Sequence, residues 1–324
     1  MNADVRGPGP ASRDEIGIVV VTYHPVGELG SRLGRMAAQG RSLVVVDNGS
    51  DAGVRNALAE FCQRPDWQLI SNPDNLGLGA ALNQGVRLLH ERGFRWAILF
   101  DQDSEPAVEM SQAMIETWRR HPAATRLAIV GPRFVDRSTG RVHRVLRPHP
   151  RWPFFFQKTA IGAEDLPEVT MVITSGSLLR VADFLNWGPF DEGFFIDHID
   201  TDFCLRCRSH GRLIAMSARA QLDHSLGSRK VHTVLGLKAH PTHHSASRHY
   251  YIARNRISMI RRYATREWHW LWFEMGAAGL WLFRVLLFEA GKLAKLRGML
   301  WGTWDGLRGV QGKCLAAHQR KRKA

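Results

Sequence analysis

The sequence has 324 residues, 44% apolar and 23% charged, with 30 Gly and 14 Pro. That supports one large or two modest domains with a sizeable core, and excludes a disordered, collagen-like or disulfide-stapled chain. The net charge of +14 is uneven: residues 1–224 hold 25 Lys/Arg against 26 Asp/Glu, and residues 225–324 hold 19 against 4. The last third is therefore expected to meet an anionic partner, either nucleic acid or acidic lipid. Cys62, Cys204, Cys207 and Cys314 are too few and too scattered for a secreted framework, so a reducing compartment is the default.

Residues 1–14 carry no apolar stretch and are expected to be disordered, neither signal peptide nor anchor. Ile16–Tyr23 reads as a strand too apolar to alternate, hence buried on both faces. A helical stretch to about Ala38, a second buried strand at Leu43–Val46, a helix over Ala52–Phe61 and a short strand near Trp67–Ile70 follow. A helix from Gly79 to about Leu89 then leads to the buried strand Trp96–Phe100. This alternation predicts a mostly parallel sheet with helices on both faces. Ligands gather beyond the carboxyl ends of such strands, where Tyr23, Asp47 and Asp101 lie.

Residues 137–166, rich in Pro, Arg and aromatics, read as an excursion or lid. Order returns at Val169–Thr174, with a helix from Val181 to about Trp187, helical spacing in the second half of 188–206, and a strand pair at Leu213–Met216 and Ala220–Leu222. Residues 225–249, with five histidines among Ser, Gly and Thr, are expected to form a mobile loop. From Arg266 to Phe288 the chain is strongly apolar but interrupted by Glu267, Glu274 and Arg284. Charges near the middle of a spanning helix are costly. The tryptophans and the flanking Arg261, Arg262, Lys292, Lys295 and Arg297 fit a helix lying in a membrane interface.

Asp101-x-Asp103 carries the strongest chemical signal. Two carboxylates directly after a buried strand need a cation to offset their repulsion, and Mg²⁺ or Mn²⁺ shared with diphosphate oxygens is the usual arrangement. Asp197, Asp200 and Asp202 form a second acidic cluster. Asp197 and Asp200 share a helix face while Asp202 turns away, so Asp200 is expected to act as general base and Asp202 to serve the structure. Cys204-x-x-Cys207 lacks a second pair for zinc and reads as packing. His224, after a short apolar strand, is within chain reach of the cation.

Together these pieces resemble the inverting family-2 glycosyltransferases of GT-A fold. The resemblance rests on Val19-Val-Val-Thr-Tyr23, Val46-Asp-Asn-Gly-Ser50, Asn75-Leu-Gly-Leu-Gly-Ala-Ala-Leu-Asn83, Phe100-Asp-Gln-Asp-Ser104, the run Phe190–Arg206 and Arg248-His-Tyr-Tyr-Ile-Ala-Arg-Asn255. Asp-Gln-Asp-Ser and Phe-Ile-Asp-His-Ile-Asp-Thr-Asp are most similar to bacterial rhamnosyltransferases that use dTDP-L-rhamnose. The resemblance implies that Thr22, Tyr23 and Asp47 hold the nucleotide base and that Asn75, Gly77 and Asn83 line the donor site. It implies Asp101, Asp103 and His224 at the metal, with Asp103 the direct ligand, and Arg248, Tyr251 and Arg254 at the diphosphate. Asp200 matches the second acid of the family's Glu-Asp pair. Ile199 replaces the first, and Asp197 is expected to compensate by binding sugar hydroxyls.

The expected organisation is a GT-A domain over 15–255 and a basic, Trp-rich, membrane-associated helical extension over 256–324. The expected activity is metal-dependent transfer of L-rhamnose to a lipid-linked or polysaccharide acceptor, as in O-antigen synthesis, on the cytoplasmic face of the inner membrane. Another donor such as UDP-galactofuranose is the alternative within the enzyme class. A nucleic-acid-binding role for the tail is the minor one, since it carries no recognition motif.

Overall fold

The computed structural model describes residues 15–136, 140, 142–152, 154–224, 232–234, 237–239 and 244–314. The expected disorder of residues 1–14 and most of the first nineteen residues of the expected 225–249 loop lie outside the described residues.

The first half is built from β1 (Ile16–Thr22), α1 (Leu29–Ala37), β2 (Ser42–Asp47), α2 (Ala52–Phe61), β3 (Trp67–Ser71), α3 (Leu78–Glu91) and β4 (Trp96–Asp101). Every residue of β1 and β2 is buried, so both sheet faces are covered, as their unbroken Val/Ile runs require. β5 (Ser104–Pro106), α4 (Met110–Arg120), β6 (Leu127–Asp136), the hairpin β7 (Arg144–Pro148) and β8 (Phe156–Ala160), β9 (Leu178–Arg180) and α5 (Val181–Asn186) come next. Then follow α6 (Ile199–Ser209), β10 (Leu213–His224), the short pair β11 (His232–Val234) and β12 (Leu237–Ala239), and α7 (Ala246–Tyr263), α8 (Trp268–Phe288) and α9 (Lys292–Leu307).

Eight strands form one sheet in the order β3-β2-β1-β4-β9-β6-β10-β5, parallel except for β9 and β5. The register sets Thr22 beside Asp47 and Val21 beside Asp101, so the polar ends of β1, β2 and β4 finish at one level. That shared rim is where the sequence placed its ligand site.

Several elements depart from the sequence reading. β10 is one strand, not two, with its register against β6 shifting between Met216 and Gln221, where four residues stand against one and bulge. Residues 169–174 form no strand; Val169 N–H and Thr170 N–H bond singly to Ile214 O and Leu146 O. The 137–166 excursion contains the β7–β8 hairpin as a separate two-stranded sheet. α7 begins at Ala246, capped by Ser245 Oγ on Arg248 N–H at 3.3 Å, so the loop expected to reach 249 stops earlier. The domain boundary expected at residue 255 falls inside this helix.

α7 and α9 pack more closely than ordinary side chains permit. Gly298, Gly302 and Gly306, four residues apart and thus on one face, lie against the carbonyls of Ala246, Tyr250 and Arg254; a Cβ on Gly298 or Gly306 would sit 2.6 Å from its carbonyl oxygen. Tyr250 OH bonds Asp305 Oδ2 at 2.7 Å across the same contact. A buried His249–Glu289–Lys295 chain, 3.3 and 2.7 Å, closes the far end.

Candidate active site

The rim begins with a buried brace. Asp47 accepts Thr22 Oγ1 at 3.0 Å, Ser50 Oγ at 2.6 Å and Ser50 N–H at 3.0 Å. Thr22 and Asp47 are both fully buried, so they hold the ends of β1 and β2 in register and do not line the surface expected to take the base. Tyr23, the next residue, is exposed. Its N–H donates to Gln102 Oε1 at 2.8 Å and its carbonyl accepts Gln102 Nε2 at 3.3 Å, so Gln102 ties β1 to the Asp-x-Asp turn. Asp101 N–H is held by Ser175 Oγ at 3.2 Å, and the Ser175 hydroxyl pairs closely with that of Ser104. Asp101 and Asp103 are partly exposed on either side of Gln102. β5 pairs with β10 through Ser104 opposite His224, so the backbone sets residue 224 next to this turn; the His224 side chain lies outside the described residues.

A second wall is organised by asparagines. Asn48 donates to Asn75 Oδ1 and Gly77 O, each at 3.1 Å, and accepts Leu76 N–H at 3.1 Å and Asn72 Nδ2 at 3.2 Å. Gly77 has φ +96°, and a Cβ there would lie 2.7 Å from Phe195 O, while Leu78 N–H donates to that same carbonyl at 2.8 Å. The glycine thus lets the start of α3 touch the acid-bearing segment 190–200. Asn83, expected in the donor site, is instead fully buried: it donates to Phe190 O at 3.0 Å and accepts Phe190 N–H at 3.0 Å.

Phe195, Asp197 and His198 have φ near +64°, +63° and +63°, a left-handed strain that non-glycine residues carry only where the surroundings impose it. α7 imposes it here. Asn255 Nδ2 reaches the carbonyls of Phe194, Ile196 and Asp197 at 3.0, 2.8 and 3.1 Å. Arg254 donates to Gly193 O and Phe194 O at 3.0 Å each and to Gly312 O at 2.6 Å, and lies against the rings of Tyr250 and Tyr251. Arg262 reaches Asp191 at 2.7 Å and Asp202 at 2.9 Å, and Tyr263 OH donates to Asp202 at 2.8 Å. Residues 248, 255 and 262 recur every seven positions along one helix face.

This corrects two expectations. Arg254 is buried and engaged with backbone carbonyls, so its charge shapes the acid loop and is not presented to a diphosphate. Tyr251 is likewise buried, stacked on Phe195 at 5.0 Å with its hydroxyl accepting Cys314 N–H at 2.9 Å.

Arg248 is paired with Asp197 and lies within the field of Asp101. Its Nη2 and Nε meet Asp197 Oδ1 and Oδ2 at 2.9 and 3.1 Å, a two-pronged pair. Burial opposes its charge, yet the Asp197 contact and the charge of Asp101 hold its pKa above the ordinary value. Beside it, burial and the Arg248 charge push His244 down to about 4, so this histidine is neutral at pH 7. Asp200, in the first turn of α6, accepts Thr201 N–H at 2.7 Å. Burial lifts its carboxyl above the ordinary carboxylate range, the neighbouring Asp197 charge adds to the lift, and Thr201 and His198 oppose it. Asp200 and Thr201 also line a cleft of about 200 Å³ with Phe134, His143, Arg144 and Ile173. The contacts thus tie Tyr23 to the Asp101-x-Asp103 turn through Gln102 and Arg248 to Asp197, with Asp101 close enough to act on the Arg248 charge and Asp197 on that of Asp200.

The glycosyl transferase family 2 sequence pattern matches residues 18–187, which span the rim from β1 through α5. The chain belongs to glycosyl transferase family 2. This glycosyltransferase is 27% identical over 302 residues to a dTDP-rhamnosyl transferase, RfbF, of Shigella flexneri, a match covering 91% of this chain and 96% of that protein. Among solved structures it is similar to the 1–349 fragment of S. aureus TarS in complex with UDP-GlcNAc (TM-score 0.55, 16% identity, 91% of this chain and 81% of that one). It is also similar to the mannosyltransferase PcManGT of Pyrobaculum calidifontis with GDP-Man and Mn²⁺ (TM-score 0.54, 14% identity, 100% and 82%). These structural likenesses bear on the fold, which is the GT-A arrangement. The chain spans 50% of GalNAc-T7 and 39% of a longer S. aureus TarS chain, which it also matches.

Asn48, Gln102, Ser175 and Asn255 organise the site without having been singled out from sequence. Asn48 and Gln102 each sit inside a motif whose acidic neighbours drew attention first. Cys204 and Cys207 are buried free thiols packed in the core, and among the described residues no group of three or more His, Cys, Asp or Glu is arranged to hold a metal.

Proposed function

We propose that this glycosyltransferase moves L-rhamnose from dTDP-L-rhamnose to a hydroxyl of a lipid-linked or polysaccharide acceptor, with inversion at the anomeric carbon, in cell-surface polysaccharide assembly. The observation that carries the reading is Asp200, a carboxylate on a cleft wall whose pKa burial raises, next in charge to Asp197, which Arg248 grips within the field of Asp101. The donor is proposed from the likeness to the Shigella protein across almost its whole length.

Asp200 takes the proton of the acceptor hydroxyl as that oxygen attacks the anomeric carbon from the side opposite the diphosphate. Its raised pKa makes it a better base than an ordinary aspartate, and the Thr201 N–H fixes the carboxyl plane. Arg248 supplies fixed positive charge where the departing diphosphate gathers negative charge. Asp197 orients Arg248 through the two-pronged pair. The donor set at the turn, two carboxylates with an imidazole-bearing position alongside, suits a hard divalent cation. Asp101, Asp103 and His224 would hold Mg²⁺ or Mn²⁺ there, where it acts as a Lewis acid toward diphosphate oxygens.

The proposed location is the cytoplasmic face of the inner membrane, with α8 and α9 lying on acidic lipid. α8 is long and apolar enough to cross a membrane by length and composition. Its contacts favour lying flat: His269 bonds Thr170 at 2.8 Å, Glu274 bonds Arg256 at 2.7 Å, and Trp281 stacks on His249 at 5.0 Å. One side is thus fixed to the domain along its length, while Trp272, Met275, Leu280, Phe283 and Leu287 face outward. Basic Arg284, Lys292 and Arg297 complete a surface suited to anionic headgroups.

The test is mass-spectrometric transfer from dTDP-L-rhamnose and from UDP-galactofuranose to a panel of lipid-linked acceptors, with Mg²⁺ or with chelator. Transfer of a deoxyhexose from the dTDP donor, lost with chelator, is the expected result. Turnover of the UDP donor alone would overturn the donor assignment.

A further inference from the structure

The β7–β8 hairpin has no part in the chemistry above, yet its turn carries an unusual set of side chains. Trp152, Phe154 and Phe155 are 62%, 58% and 57% exposed. The turn that displays them is internally bonded. His149 N–H donates to Phe155 O at 2.9 Å, Phe155 N–H donates to Trp152 O at 2.9 Å, and His149 Nδ1 accepts Arg151 N–H and Trp152 N–H at 3.3 and 3.2 Å. Three large aromatic side chains kept in solvent beside these hydrogen bonds mark a contact surface.

Charge narrows the partner. Residues 137–163 contain six Lys or Arg and no Asp or Glu. Aromatic residues in a segment whose charges are all basic are the composition that settles at an anionic lipid surface. Position agrees: the hairpin stem packs on α8, with the Phe156 ring 5.5 Å from that of Phe273 and Lys158 Nζ 4.8 Å over the same ring. The hairpin stem therefore borders α8. At its root, Arg144, Val145 and Leu146 line the Asp200 cleft. The turn begins three residues beyond Leu146, about 10 Å along the strand.

We propose that the hairpin turn is a second lipid-contacting element, inserting Trp152, Phe154 and Phe155 into an anionic bilayer beside α8 and setting the Asp200 cleft at headgroup depth. An acceptor carried on a lipid then meets the base without leaving the membrane. The proposal rests on the reading of α8 and α9 as membrane-lying.

The full chain is sedimented with vesicles of phosphatidylcholine alone and with added phosphatidylglycerol, and its self-association is followed by analytical ultracentrifugation. The wild type is expected to bind the anionic vesicles. Trp152→Ser/Phe154→Ser/Phe155→Ser is expected to bind them about tenfold more weakly, with unchanged melting temperature and unchanged dTDP release from dTDP-L-rhamnose in vesicle-free buffer. Equal binding by wild type and triple variant, with loss in Trp272→Ser/Phe283→Ser, would overturn the hairpin's role and leave α8 as the lipid contact. Absence of wild-type binding to anionic vesicles would overturn both readings. A self-associating wild type and a monomeric triple variant would make the turn a contact between copies of the chain and likewise overturn the proposal.

Discussion

Replacing Asn255 with Ala should damage catalysis from a residue that touches no substrate. Its side-chain amide serves three carbonyls of the strained loop at 2.8–3.1 Å and is fully buried. Phe194 O keeps its bond from Arg254 after truncation, so the carbonyls of Ile196 and Asp197 lose this donor. At about 1–3 kcal/mol for each acceptor left without a partner, the cost is about 2–6 kcal/mol, which lowers the melting temperature by roughly 3–10 °C. The left-handed residues 195, 197 and 198 then relax, moving Asp197 and Asp200. A displacement of about 1 Å at a reacting group costs about a hundredfold in rate, so kcat should fall by that factor while donor affinity changes little. Asn255→Asp keeps the shape but turns a donor toward three acceptors into another acceptor, and should be worse on both counts. The assays are calorimetric melting and steady-state transfer. An Asn255→Ala protein with wild-type melting temperature and kcat would refute the claim that α7 holds the acid loop.

Two further outcomes follow from the same contacts. Gly302→Ala should destabilise by about 1–3 kcal/mol because its Cβ meets the Tyr250 carbonyl, whereas Gly276→Ala, where a Cβ meets nothing within 4 Å, should stabilise by up to about 1 kcal/mol; calorimetry of both decides. Since the Asp197 charge adds to the burial that raises Asp200, and a base works only when ionised, Asp197→Asn should move the acid limb of the kcat/KM profile to lower pH. A limb that stays put or moves up would remove Asp197 from the electrostatics of the base.

The sequence made β1, β2 and β4 legible because strands buried on both faces read as unbroken apolar runs. β5 and β9 are three residues long, too short for any period to register. β10 read as two strands because its bulge breaks the alternation. The histidines before α7 looked like loop, yet Ser245 caps a helix that takes in His249. Asp101, Asp103, Asp197, Asp200 and Arg248 were legible as candidate chemistry, and the structure pairs Arg248 with Asp197 and sets Asp200 on a cleft wall. Arg254, Tyr251 and Asn83 were misplaced for one shared reason. In a sequence, a polar side chain that satisfies buried backbone looks the same as one that meets a ligand, and only burial separates them. The Gly298-x-x-x-Gly302-x-x-x-Gly306 ladder went unread because the surrounding basic and aromatic residues suggested only a surface.

The most direct test of the account is Asp200→Asn, an isosteric change that removes the base and leaves the donor side of the cleft intact. The variant should bind dTDP with wild-type affinity by calorimetry while rhamnosyl transfer falls by about a thousandfold. Transfer at the wild-type rate would contradict the assignment of Asp200 as the group that deprotonates the acceptor.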